Sequence, residues 1–279
     1  MIQTNCELPI DLLDANTTIN DYDFVLFHLY ATNPTYREYY NGLRRYLPGR
    51  FMMLDNSAYE FYIKNQKLDT EGFLHAIEDL EPDIFLAPDV LMDKERTKEY
   101  VDLFAEHEFE NSQMMVVVQG NSEAEFLECL EEYKEMGIQY IAIPFHNQFF
   151  TQYSYLDNSE MNIHLRNSWR LRVGSIREDD EYALGRTLFL HRYKDIFSND
   201  FQYVHLLGSH NPEEKYFDQD LEFIKSMDTG YPVKCAIEGH KLGEEDSKPN
   251  IIIDDFINKS TSDQARQLII NNVNSFKSF

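Results

Sequence analysis

The sequence predicts an α/β fold, a single (β/α)8 TIM barrel that spans residues 1–279. Short apolar runs recur at fairly regular spacing, and several are continuous, as expected for parallel strands covered on both faces. Segments with helical spacing of apolar residues separate the runs, and this alternation is typical of a parallel α/β fold. Polar residues end several of the runs, where such barrels carry their chemistry.

Eight short runs are the predicted strands, and six longer segments are the predicted helices. The strands are Asp23–Leu29, Phe51–Asp55, Asp83–Asp89, Met114–Gly120, Tyr140–Pro144, Leu171–Ser175, Tyr203–Gly208 and a short strand that ends near Asp228. The helices are Thr35–Leu47, Thr70–Leu80, Glu95–His107, Ser122–Met136, Asp179–Phe197 and Thr261–Phe276. At Ser122 the start of a helix is well marked, because Glu125 three residues later completes a capping-box pattern.

One segment interrupts the alternation of strands and helices. Residues Phe145–Ile163 are rich in Asn, Gln, Ser and Tyr and show no clear period. We therefore expect an irregular insertion after the fifth predicted strand. No linker-like composition and no internal repeat divide the chain, so the sequence predicts one domain.

The net charge of −24 argues against a protein that coats nucleic acid without specificity, because phosphate contacts dominate such binding. An enzyme with a local basic patch is still compatible with that charge. The candidate nucleic-acid contacts are Arg166, Arg170 and Arg172, which lie in a basic stretch, and Lys234. The alternative is that these side chains form a solvated surface balanced by neighbouring acidic residues.

The cellular environment can be inferred from cysteine use and from apolar stretches. Three widely separated cysteines, Cys6, Cys129 and Cys235, do not suggest a disulfide framework, and a cytoplasmic location is expected. The first residues lack the basic region and apolar run of a signal peptide. Because no apolar stretch approaches the roughly 18 residues that span a membrane, we expect no membrane association.

Four polar side chains at predicted strand ends form a candidate site: Asp55, Asp89, Gln119 and Asp228. Any one of them could be a helix cap or a turn former, but all four fall on the face that carries a barrel's chemistry. One carboxylate could attack a sugar carbon and hold a covalent glycosyl intermediate, while a second moves a proton. A carboxylate and an amide could read a purine-like edge.

Several neighbouring residues suit a flat heterocyclic ligand. Tyr59 could stack on such a ring, and the backbone at Gly120 and Gly208 would allow its close approach. His28 and His205, in contrast, lie inside apolar runs and are predicted to be core residues.

The order and spacing of these motifs resemble the tRNA-guanine transglycosylase family, (β/α)8 barrels that exchange guanine for a 7-deazaguanine base. The family's strand end Asp-Ser-Gly-Gly-Phe/Tyr-Gln corresponds to Asp-Asn-Ser-Ala-Tyr-Glu at 55–60. Its Val-Gln-Gly corresponds to 118–120, and its Leu-Met-Gly-Val-Gly-Thr-Pro resembles Leu-Leu-Gly-Ser-His-Asn-Pro at 206–212. The match covers roughly residues 23–240.

The resemblance implies a role for each matched residue. Asp228 would be the nucleophile and Asp55 the general acid and base. Asp89 and Gln119 would read the edge of the base, while Tyr59 and Leu207 would cover its two faces. Neither a cofactor nor a metal is implied for this chain.

Three departures from the family pattern concern the substrate. The family's zinc ligands, three closely spaced cysteines and a histidine, have no counterpart, and its paired glycines after the fifth strand appear as Pro144-Phe145. The chain is also short and acidic. These departures favour the divergent, often phage-encoded branch that exchanges guanine in DNA for a preQ0-type base and so evades restriction.

The expected partners are therefore DNA, with tRNA as the alternative, and a free 7-deazaguanine base. The oligomeric state is left open, with a homodimer among the alternatives. Two other functions are compatible with the strand-end residues: a metal-dependent TIM-barrel hydrolase, and a barrel that binds a base without exchanging it.

Overall fold

The computed structural model describes residues 1–145, 147–156, 160–173, 178–243 and 256–279. Eight parallel strands form a nearly closed barrel with helices between them, so the predicted TIM-barrel fold is confirmed. The strands are β1 Gln3–Cys6, β2 Asp23–Leu26, β3 Met52–Asp55, β4 Ile84–Leu86, β5 Gln113–Val117, β6 Tyr140–Ile143, β7 Tyr203–Leu206 and β8 Ile224–Thr229. Their hydrogen-bonded order is β1-β8-β7-β6-β5-β4-β3-β2.

Helices surround the barrel, and among the described residues none is long and apolar enough to cross a membrane. A 3-10 helix, Ile10–Ala15, follows β1. The α-helices are α1 Asn16–Ile19, α2 Phe27–Thr32, α3 Pro34–Tyr46, α4 Ala58–Ile63, α5 Thr70–Leu80, α6 Lys94–Ala105, α7 Glu123–Glu135, α8 Gln148–Leu156, α9 Glu160–Val173, α10 Glu178–Arg192, α11 Lys194–Asp200, α12 Pro212–Asp218, α13 Tyr231–Ile237 and α14 Asp263–Lys277. The Ser122 cap is confirmed, because its side chain accepts a hydrogen bond from Glu125 N.

The seam between β1 and β2 is closed by individual hydrogen bonds instead of a regular ladder. Thr4 N donates to Asp21 Oδ2 at 2.8 Å, and Asp21 N donates to Thr4 O at 3.1 Å. The Asn5 side chain, which is buried, donates to Tyr22 O at 2.7 Å. Two side-chain hydrogen bonds and one backbone hydrogen bond thus join β1 to the residues just before β2.

One predicted strand was wrong and one strand was missed, and composition explains both. The strand Gln3–Cys6 was missed because Gln3, Thr4 and Asn5 are polar, although the last two are buried at the seam. The predicted strand Leu171–Ser175 is the end of helix α9 up to Val173, and its last two residues lie outside the described residues. Leu171 is 88% exposed, so its apolar character does not reflect burial.

The predicted irregular insertion is also corrected, because its described residues are mostly helical. Gln148–Leu156 forms α8, and Glu160 begins α9. Helix α8 packs closely on α10: a Cβ added to Gly185 would lie 1.9 Å from Phe150 O. Aromatic residues supply this contact, with the rings of Phe150 and Phe189 5.9 Å apart. The segment therefore packs as a helix despite its weak apolar period.

A buried ion pair fixes the loops above β6 and β7. Arg186 of α10 is fully buried and bonds both oxygens of Glu214, at 2.8 and 2.9 Å. Its Nη1 donates to Ile143 O and Leu207 O, at 3.1 and 2.7 Å. Glu214 also accepts from Ser209 Oγ at 2.6 Å. One arginine therefore holds two helices and two strand ends in a fixed arrangement.

We expect Arg186→Met to lower the free energy of unfolding by about 3–5 kcal/mol, because it leaves the Glu214 carboxylate buried without its partner. Urea denaturation would measure the loss. The matched control is Arg170→Met at an exposed position of α9, which should change stability by about 0.5 kcal/mol or less.

A second variant separates the buried charge from lost packing. Adding Glu214→Gln to Arg186→Met removes the unpaired charge and should recover part of the lost stability. Equal stability of Arg186→Met and Arg170→Met would contradict the structural role of the pair.

Candidate active site

A cavity of about 180 Å³ opens at the C-terminal ends of the strands. A single water needs only about 10–15 Å³, so the space admits an organic molecule. The predicted site residues that line it are Asp55, Tyr59, Asp89, Gln119, Leu207, Gly208, Asp228 and Lys234. Residues that are 173 positions apart in the chain, such as Asp55 and Asp228, meet here because every strand end of a parallel barrel faces the same side.

Asp228 is held by two hydrogen bonds to the same oxygen. Its Oδ1 lies within hydrogen-bond distance of His205 Nε2, at 3.1 Å, and accepts from Gly208 N at 3.0 Å. Gly208 has φ +64°, a left-handed conformation that favours glycine. The Asp228 side chain is only 6% exposed, so its carboxylate is desolvated. The contacts with His205 and Gly208 also orient it.

Asp55, the last residue of β3, lies in a tight turn. Its Oδ2 accepts from Ser57 N at 2.8 Å, and Ser57 has φ +59°. Burial raises the pKa of Asp55 well above its usual value, and the carboxylates of Glu60 and Asp228 raise it further. The Asp55 carboxyl group therefore holds a proton much more readily than an aspartate in water.

Asp89 and Gln119 form a bonded pair. Gln119 Nε2 donates to Asp89 Oδ2 at 2.7 Å, and Gln119 Oε1 accepts from Met92 N at 2.9 Å. Asn56 Nδ2 donates to Asp89 Oδ1 at 2.9 Å. Burial raises the pKa of Asp89 to about 6, although both amide hydrogen bonds act in the opposite direction. These hydrogen bonds fix the orientation of the Asp89 and Gln119 side chains at the cavity wall.

Two cavity carboxyl groups were missed by the sequence analysis, Glu7 and Glu60. Glu7 follows β1, the polar strand that was itself missed, so no sequence signal pointed to it. Among the described residues its Oε2 is buried without a hydrogen-bond partner. Burial, followed by the charge of Asp228, raises the pKa of Glu7 to about 8, while Lys234 opposes the shift. Glu60 is the last residue of the matched motif at 55–60, but the resemblance assigned it no role.

Aromatic and apolar groups complete the wall. Tyr59 is 46% exposed, at the rim of the cavity, and Leu207 and Phe24 also line it. The rings of Phe145 and His210 stack with centroids 4.6 Å apart. The cavity therefore combines flat apolar surfaces with acidic and amide groups, which suits a planar polar ligand.

Gly120, predicted to contact the ligand, does not line the cavity. Its carbonyl accepts from Asn147 Nδ2 at 2.7 Å, and an added Cβ would lie 2.8 Å from Phe126 N. The missing side chain therefore allows helix α7 to approach the end of β5. We expected a close approach to the backbone of Gly120, and there is one, but the group that approaches is helix α7 and not a ligand.

The predicted nucleic-acid contacts divide into two groups. Lys234 lines the cavity, whereas Arg166, Arg170 and Arg172 lie on α9 outside its lining. Arg172 forms an ion pair with Glu213, and its guanidinium lies 3.7 Å above the ring of Tyr216. Arg170 is exposed.

No known protein-family model matches the chain, and no curated protein is detectably similar to it. Within the part of the chain that the structure describes, no group of three or more His, Cys, Asp and Glu side chains is arranged to hold a metal ion. The hypothesis for the site therefore rests on its own geometry and on the motif resemblance.

We expect Glu7→Gln to become progressively more stable, relative to the unmodified chain, as the pH rises from about 5 to about 8. The folded-state pKa of Glu7, about 8, exceeds its ordinary value of 4.5. The folded protein therefore binds the proton more tightly, and its stability falls as that proton is lost. The glutamine cannot ionise. Urea denaturation across this range would measure the difference.

The control for this pH effect is Glu99→Gln at an exposed position of α6. Its stability should follow that of the unmodified protein at every pH. If the Glu7→Gln and Glu99→Gln curves ran parallel across the range, Glu7 would not be the buried acid described above.

Gly120→Ala should destabilise the fold by about 1–3 kcal/mol, because the new methyl group overlaps the backbone of α7. Gly49→Ala, where an added Cβ meets nothing within 4 Å, is the control. Thermal or urea unfolding of the two variants would check this, and equal stabilities would contradict the close contact at Gly120.

Proposed function

We propose that this protein is a base-exchange glycosyltransferase that replaces guanine in DNA with a free 7-deazaguanine base of the preQ0 type. The observation that carries the proposal is that Asp228 and Asp55 line one cavity together with the pair Asp89–Gln119. The motif resemblance assigns these four residues to nucleophile, proton carrier and base recognition. Their convergence supports that assignment.

In the first half of the reaction Asp228 attacks C1′ of the target nucleotide. A C–O bond forms and the C1′–N9 bond breaks, with its electron pair leaving on the guanine. Asp55 supplies the proton that makes guanine a neutral leaving group. The raised pKa of Asp55 supports this role, because the carboxyl group must enter the step protonated.

In the second half the incoming base takes the place of guanine. Its N9–H gives a proton to the Asp55 carboxylate, and N9 attacks C1′ while the bond to Asp228 breaks. Both carboxyl groups return to their initial states, so the cycle consumes no other reactant. Splitting one substitution into two in this way is the advantage of a carboxylate nucleophile.

Recognition of the base is assigned to the opposite side of the cavity. Asp89 accepts hydrogen bonds from a purine-like edge, and Gln119 can present a donor to it. Tyr59 and Leu207 cover the faces of the ring. The target nucleotide would have to leave a duplex to reach these groups, which costs a few kcal/mol of stacking and pairing.

The choice of polymer rests on what the sequence lacks. A zinc site accompanies the tRNA-modifying members that the chain resembles, and the closely spaced cysteines of that site have no counterpart here. We therefore propose DNA as the substrate, and incorporation into tRNA is the alternative outcome of the test.

The test is incubation of the purified protein with duplex DNA or tRNA and a labelled 7-deazaguanine base. We expect label in DNA, and we expect Asp228→Asn to reduce its incorporation by roughly a thousandfold or more, as loss of a nucleophile does. Asp220→Asn, at an exposed position, is the matched control and should retain full activity. Mass spectrometry of the digested nucleosides would identify the product.

Other outcomes decide against parts of the proposal. Label in tRNA alone would assign the other polymer. Tight binding of the base without exchange in either polymer would indicate a binding module. Full incorporation by Asp228→Asn would overturn the covalent mechanism.

A further inference from the structure

We propose that His205 is the positioning residue of the nucleophile: a neutral imidazole, protonated at Nε2, that aims Asp228 at the cavity. This inference rests on the proposed function for its catalytic meaning. The hydrogen-bonding state it assigns can be measured without any activity.

The strand register places the three interacting side chains on one face. Residue 205 of β7 pairs with Ser226 of β8. Since side chains alternate along a strand, Ser226 and Asp228 project to the same side. His205 thus lies beside both of them, 2.7 Å from Ser226 Oγ through Nδ1 and 3.1 Å from Asp228 Oδ1 through Nε2.

A third residue sets the direction of these hydrogen bonds. Tyr203 OH donates to Ser226 Oγ at 2.9 Å. The single proton of the Ser226 hydroxyl is then available for His205 Nδ1, which acts as the acceptor. An imidazole that accepts at Nδ1 carries its proton at Nε2. The chain Tyr203–Ser226–His205 therefore selects the tautomer that donates to Asp228.

The other contacts of Asp228 agree with this direction. Gly208 N can only donate, and it bonds the same Oδ1, so this oxygen acts as an acceptor. An imidazole with its proton at Nδ1 would instead place a lone pair against the carboxylate oxygen. His205 is fully buried, and its ring stacks on Phe24 with centroids 5.5 Å apart.

Two donors on Oδ1 fix the plane of the carboxylate and leave Oδ2 as the attacking oxygen. Among the described residues, the hydrogen bonds to the Asp228 side chain all reach Oδ1. A neutral donor orients the carboxylate without cancelling the negative charge that makes it nucleophilic. His205 itself does not line the cavity, so it acts through Asp228.

The direct test is the nitrogen NMR spectrum of protein labelled at its histidine rings. We expect the His205 signals, identified by their loss in His205→Gln, to show a neutral ring with its proton at Nε2. In Ser226→Ala the donor to Nδ1 is removed, and the population of that tautomer should fall. A charged ring or an Nδ1–H tautomer in the unmodified protein would overturn the proposal.

The kinetic test compares His205→Gln with His205→Met. The glutamine amide can still donate to Asp228 from nearly the Nε2 position, whereas methionine fills a similar volume without a donor. We expect His205→Met to lower kcat roughly 100-fold with little change in KM for the base, and His205→Gln to recover most of it. Urea denaturation of both variants would show whether either has lost its fold.

The outcomes separate this inference from the proposed function. Equal loss of kcat in folded His205→Gln and His205→Met would refute donation by His205. Absence of base exchange in the unmodified protein, with the Nε2–H signature present, would refute the proposed function and leave the hydrogen-bond assignment in place.

Discussion

The desolvation of carboxyl groups around one cavity is the constraint on which the rest of the site depends. Five of them line it, and each is stabilised differently. Asp228 receives a ring N–H and a backbone N–H, Asp89 receives two amide groups, and Asp55 receives one backbone N–H. For the Glu7 Oε2 atom no donor is present among the described residues, and burial raises the pKa of this carboxyl group. Burial raises the pKa of Glu7, Asp55 and Asp89, and the hydrogen bonds to Asp55 and Asp89 oppose that shift.

A network of buried hydrogen bonds connects the Asp228 backbone to helices outside the barrel. Glu214, held by Arg186, accepts from Ser209 Oγ, and Ser209 N donates to the backbone carbonyl of Asp228 at 2.9 Å. A continuous set of hydrogen bonds therefore links a buried ion pair outside the strands to the nucleophile candidate. Buried networks of this kind fix geometry when every member is satisfied. The position of Asp228 then depends on α10 and α12 as well as on its own strand.

The fold could be predicted from the sequence because six of its strands contain short apolar runs, and Asp55, Asp89 and Gln119 could be found because each ends or follows such a run. Strand β8 is mostly polar, so Asp228 was found from its resemblance to the family's motif. Prediction from the sequence failed for segments whose composition does not match their burial in the fold. The β1 strand is polar yet buried, so Glu7 was missed with it. His205 was expected in the core and is there, but its bond to Asp228 follows from strand register, which the sequence does not specify. Arginine side chains are usually exposed, so only three-dimensional packing shows Arg186 to be internal.

The pairing of the first strand with the last has a consequence for biosynthesis. Gln3 lies opposite Ser226, so the regular ladder partner of β1 leaves the ribosome more than two hundred residues after β1 itself. Until then, the polar N-terminal strand can form only its few bonds with the adjacent segment around Asp21. Contacts between such distant residues form late and slowly. Glu7 and Asp228 therefore come together only when the barrel closes. The cavity that they line is incomplete in the nascent chain until then.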